Sequence, residues 1–92
     1  MNFKAKIEKV ESKGGWHYVL IPVNIYQELK SQVQRSIVPV VVRLGGSSWT
    51  TTIMSMGNQK WFVAIKADIR EKENINKGDE VDINISLDEA RL

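Results

Sequence analysis

Three tryptophans, Trp16, Trp49 and Trp61, each stand beside a turn signal, where the mouth of a small β-structure would open. Aromatic walls carrying a few polar groups are what small-molecule sites are built from, so this trio is the candidate ligand-binding set. The same side chains plug a core when they fold inward, and both readings stay open here. His17 is the only histidine and there is no cysteine, which excludes thiolate chemistry, disulfides and Cys-based zinc sites. The carboxylates fall mostly on outward strand positions or near helix starts, so no converging acid and base are expected. His17 therefore reads as a partly exposed structural histidine, and neither a catalytic residue, a metal nor a cofactor is expected. Gly14-Gly15 and Gly45-Gly46 lack the Lys-Ser/Thr or further glycine and helix of a nucleotide loop, and read as turns.

The charge balance limits the partners. Thirteen basic against 11 acidic residues leave a net charge of +2, with the basic residues scattered. Proteins that live on phosphate contacts usually show a basic stripe, so the lure for nucleic acid is weak. If DNA is bound, Arg35, Arg43, Lys66 and Arg70 are the candidate contacts. No apolar run approaches the roughly 20 residues of a spanning helix. No signal peptide is legible either, and a cytoplasmic protein with no membrane partner is expected.

These residues need elements to hold them. Phe3, Ala5 and Ile7 alternate with Lys4, Lys6 and Glu8, a strand with one buried face. Glu11 to Gly15 reads as a turn, and Trp16 to Ile21 as a strand covered on both faces and stopped by Pro22. Asn24 can cap a helix over about 24–34, with Ile25, Leu29 and Val33 on one face. Val38 to Leu44 and Trp49 to Met54 follow as strands around a turn at Gly45 to Ser48, and Gly57-Asn58 marks the next reversal. Lys60 to Lys66 is a dense β run. Asp68 then caps a short helix over about 69–73 that Asn74 ends in a left-handed conformation. Asn76 to Asp79 is a turn in which Gly78 supplies a positive φ and Asp79 accepts from the turn amides. Val81, Ile83, Ile85 and Leu87 alternate with polar residues in the last strand. The count is six strands and two short helices, a mostly β domain.

An internal repeat organises them. Tyr18 to Tyr26 laid over Phe62 to Arg70 matches Val19 with Val63, Ile21 with Ile65 and Ile25 with Ile69 at a constant offset of 44. The pairs Asn24–Gln27 and Asp68–Glu71 fall at the same offset. Ninety-two residues support one core, not two, so the two units should pack as pseudo-two-fold partners in one barrel, with their helices capping opposite ends. The expected limits are a single barrel over residues 1–88 and a C-terminal tail over 89–92.

Several stretches carry a family resemblance. Trp16 to Pro22, the valine strand ending at Gly45-Gly46, Thr50 to Ile53, Ile69 to Lys72, Asn76 to Val81 and the closing Asp88-Glu89-Ala90-Arg91 together resemble the bacterial family catalogued as domain of unknown function nineteen-oh-five. The resemblance implies a double-split β-barrel, a pseudobarrel capped at both ends by helices and similar in shape to AbrB-type regulators and MazE-type antitoxins. AbrB-type proteins build such a barrel from two chains. Here Ile21-Pro22, Ile69-Arg70 and Gly78-Asp79 divide the corresponding signatures between two halves of one chain. In longer members a helical domain of the YdeI or OmpD-associated type follows, and Ala90 stands where they have proline.

The expected function is a non-enzymatic binding or regulatory module whose partner is a small molecule or a protein, as a monomer or weak homodimer. An AbrB-like DNA-binding module is the alternative, and an enzyme with an unrecognised site is third.

Overall fold

The chain alternates β-branched strands with two short amphipathic helices, and in this computed structural model, which describes residues 1–11 and 15–92, the strands wind into one antiparallel barrel. In chain order the elements are β1 (Asn2–Lys6), β2 (Glu8–Lys9), β3 (His17–Ile21), α1 (Val23–Lys30), β4 (Val38–Leu44), β5 (Ser47–Ser55), β6 (Trp61–Ile65), α2 (Ala67–Glu73) and β7 (Glu80–Leu87). A final 3₁₀ turn covers Glu89–Arg91. The turn expected over Glu11 to Gly15 falls partly outside the described residues.

The strand order is β1-β7-β4-β5-β6-β3-β2. Its two ends, β1 and β2, are consecutive pieces of one passage separated by Ile7, so the order returns on itself and almost no edge is left open. The expected six strand passages are all there, and the first is broken in two. The break falls where the chain meets the turn that leads into the neighbouring β7: Ile7 donates its N–H to the Asp79 carbonyl at 2.9 Å and accepts from the Gly78 N–H at 2.8 Å. Gly78 sits at φ +92°, and Asp79 Oδ2 accepts from the Asn76 N–H at 2.8 Å, as the turn chemistry predicts.

The repeat is written into the register. Val19 and Val63, equivalent at the offset of 44, lie directly opposite each other in the β3–β6 ladder. On the other wall the best match of buried positions is at 43, which brings Val38, Val40, Val42 and Leu44 onto Val81, Ile83, Ile85 and Leu87. There the self-related pair is Val42 with Ile85. A two-fold axis therefore pierces the barrel through two opposed pairs of residues, all four completely buried. Burial follows the relation, since Ile25 and Ile69, on the two helices, are each 7% exposed. The helices leave the C-terminal ends of antiparallel β3 and β6, so they start at opposite ends of the barrel.

The predicted capping is corrected. The N-cap residues are Pro22 and Lys66, neither helix has a side-chain cap hydrogen bond, and Asn24 and Asp68 lie inside the first turn. Asp68 Oδ1 takes only the N–H of Ile69 at 3.0 Å. An extended residue ending each strand presents its carbonyl to start the helical ladder, as Pro22 does to Ile25 and Tyr26, both at 3.0 Å. α1 also stops at Lys30, four residues short of expectation; Val33 stays buried because its N–H turns back onto the Lys30 carbonyl at 3.0 Å. Asn74 does close α2 left-handed, at φ 53°. The helix is tied down by Glu73, which accepts from the Ser47 hydroxyl at 2.6 Å and the Gly46 N–H at 3.3 Å. A side chain at Gly45, φ +59°, would collide with that carboxylate.

The tail expected over 89–92 is latched rather than loose. Arg91 Nε donates to Asp88 Oδ2 at 2.6 Å, and Arg91 Nη2 reaches the carbonyls of Val40 and Thr51 on β4 and β5.

Candidate functional site

The repeat creates two equivalent corners where the first residue of a central strand meets the fourth residue of the opposite helix. At one corner these are Trp61, opening β6, and Tyr26, on α1. They stack almost face to face, with ring centroids 3.8 Å apart and an interplanar angle of 9°. At the offset of 44 the equivalents are His17, opening β3, and Arg70, on α2. Two nitrogens there, His17 Nδ1 and Arg70 Nε, are buried without a hydrogen-bond partner among the described residues. Loss of solvent, then the charges of Arg70, Lys9 and Lys77, hold the imidazole below its ordinary pKa, so His17 is neutral at pH 7. Lys77 is itself paired with Glu11 at 3.0 Å.

Beside Arg70 the surface opens into a hollow of about 520 Å³. Its floor and wall are Trp16, Met54, Ala64 and Ile65, and its rim carries Lys66 and Arg70. Strand alternation explains the apolar wall: Val19, Val63 and Ile65 point into the barrel, which turns Tyr18, Phe62 and Ala64 outward. On that outer face Trp16, Tyr18 and Phe62 make an aromatic cluster with centroids 5.3–6.4 Å apart. Trp16 remains 43% exposed and Met54 41% exposed. Lys66 is the extended residue just before α2 and Arg70 lies within the helix, and both border the hollow. Neither makes a side-chain hydrogen bond or ion pair among the described residues.

A second hollow, about 360 Å³, lies between Asn2, Arg43, Asp82 and Asn84. Its polar groups already have partners: Arg43 with Asn84 at 3.5 Å, Asn84 with Asn2 at 2.6 Å, and Asp82 with Lys4 at 3.9 Å. It has little left with which to hold a ligand.

The family model described as Domain of unknown function (DUF1905) matches residues 3–85. The chain belongs to this family. No curated protein matches it. The matched span of this DUF1905 domain runs from β1 into β7 and so takes in both corners.

The three tryptophans proposed as one ligand wall separate. Trp49 points into the core of the DUF1905 barrel and donates Nε1–H to the Ala64 carbonyl at 3.2 Å, Trp61 is stacked on Tyr26, and only Trp16 lines the large hollow. The basic quartet also divides. Arg35 donates to the Arg91 carbonyl and Arg43 sits by Asn84, while Lys66 and Arg70 share the hollow. Met54 and the pairing of His17 with Arg70 were missed. The signal for the second was available, because the offset of 44 puts these two residues where the other repeat has Trp61 and Tyr26. Among the described residues no group of acids and histidine could hold a metal ion, and no helix is long and apolar enough to cross a membrane.

Proposed function

We propose that this DUF1905 domain is a non-enzymatic binding module, and that a small molecule is taken up in the hollow between Trp16, Met54 and α2. One observation carries the reading: of the two corners that the repeat makes equivalent, one is filled by a stacked aromatic pair while the other is left open, with an apolar wall and cations unpaired among the described residues. A volume of about 520 Å³ lies within the range of small-molecule sites. The mixture of exposed aromatic and thioether surface with a few polar groups is also theirs. We place the domain in the cytoplasm as part of the same proposal, since its sequence contains no cysteine for disulfides.

Titration of the protein with a library of small aromatic fragments, followed in proton–nitrogen correlation spectra, tests this. Shifts concentrated at Gly15, Trp16, Ala64, Lys66 and Arg70 are expected. Fragments that bind only elsewhere, or none that bind, would overturn the reading. The scattered placement of Arg35 and Arg43 away from Lys66 and Arg70 argues against a duplex-DNA surface. A fluorescence-anisotropy titration should accordingly show weak binding with a small salt slope.

A further inference from the structure

We infer that the ligand of this hollow is an oxyanion, a carboxylate or phosphate ester carried on a flat apolar body. The inference rests on the reading of the hollow as a ligand site and adds the charge of its occupant. Lys66, the extended residue that precedes α2, and Arg70, within the helix, both border the cavity, and none of the described residues lining it is acidic. The nearest acids of α2 are otherwise placed: Asp68 is bonded to the Ile69 amide, Glu71 lies on the far side of Arg70 in a separate recess with Asn74 and Ile75, and Glu73 is committed to Ser47. Among the described residues Arg70 has no carboxylate partner, so the guanidinium that borders the cavity keeps donors free for a ligand. A planar oxyanion satisfies such a guanidinium with two parallel hydrogen bonds.

The opposite wall sets the body of the ligand. Trp16 and Met54 offer a broad exposed apolar surface within the same cavity as the two cations. A ring lying on this surface would direct an acidic substituent toward Lys66 and Arg70.

The test uses three probes of one shape, naphthoate, naphthyl phosphate and naphthamide, titrated against the intact protein with amide shifts as readout. At least one of the two anions should bind in the hollow about tenfold or more tighter than the neutral amide, the factor expected from one charge-assisted hydrogen bond. The anion that binds tighter distinguishes a carboxylate ligand from a phosphate one. Arg70→Gln should erase the preference and Lys66→Gln should reduce it, while Arg43→Gln, on the other hollow, should leave it intact; each variant's spectrum reports whether it is folded. Equal binding of naphthamide and both anions at Trp16 and Ala64 would overturn the charge inference and leave the site standing. Shifts at Arg43 and Asn84 instead, or none with any probe, would overturn both.

Discussion

The corner at α1 and the corner at α2 are built on the same backbone plan and finished with opposite chemistry. At α1, Tyr26 and Trp61 fill the space with two stacked rings, an arrangement worth about 0.5–1.5 kcal/mol beyond the area it buries. At α2, His17 and Arg70 occupy the equivalent positions and leave two buried nitrogens without a partner among the described residues, each a cost of about 1–3 kcal/mol where nothing compensates it. One corner is optimised for packing. The other carries the polar mismatch, and it is the one beside an open cavity. In a barrel whose two halves share buried positions in β3 and β6, that difference is what sets the α2 corner apart.

Replacing the rings should show the asymmetry most strongly. Trp61→Ala is expected to lower unfolding free energy by about 3 kcal/mol, as for other large aromatic truncations, whereas Arg70→Gln should cost less than about 1 kcal/mol. Urea denaturation of both variants measures this, and equal losses would mean that the α2 corner is structural like its counterpart. Gly78→Ala comes next. A Cβ there would touch nothing within 4 Å, so the loss of about 1 kcal/mol expected from φ +92° is purely a backbone effect. It should appear as a lower Tm with an unchanged folded spectrum.

Copying one corner onto the other is the sharper comparison. The double variant His17→Trp with Arg70→Tyr should be as stable as the parent or about 0.5–1 kcal/mol more stable, since a stacked pair replaces unsatisfied polar atoms. The same variant should lose fragment binding at Trp16. A variant that bound fragments as well as the parent would place the site elsewhere.

The smallest effect is in pH. His17 is held below its ordinary pKa chiefly by desolvation and then by Arg70, so the unfolded chain takes up its proton at a higher pH than the folded one. Stability from this group is therefore complete above the unfolded value of about 6.5 and declines as pH falls through the depressed folded value. Tm measured downward from neutral pH should fall more in the parent than in His17→Asn. The α1 corner has Trp61 where the α2 corner has His17, and so has no histidine to give such a slope.

Much of this molecule was legible in its sequence where periodicity alone decides structure. Val38 to Leu44 is a strand to the residue, and the alternation of Val81, Ile83, Ile85 and Leu87 gave the last one within a residue of its start. The interruption of the first strand was not legible, because Phe3, Ala5 and Ile7 keep their alternation straight through it. The break is made by backbone groups of Gly78 and Asp79, some 70 positions away in the chain. Helix starts were misplaced for a related reason. Asn24 and Asp68 have the chemistry of caps, yet the strand ends fix where each helix begins. The site was half legible: Trp16 and the pair Lys66 and Arg70 were named, but for different functions. Whether a tryptophan next to a turn faces core or solvent depends on the phase of its strand, and that phase sent Trp49 inward.

The covalent joining of the two halves has a consequence for how this barrel can change. In a barrel assembled from two identical chains, any substitution is made at both ends at once, so an arginine that opens one end opens the other and doubles the damage to packing. Here Tyr26 and Arg70 are separate codons. A mutation at either is confined to its own end, and the drop in offset from 44 to 43 along the chain means that the two halves already differ in length by one residue. Each end can thus change its chemistry without disturbing the packing of the other.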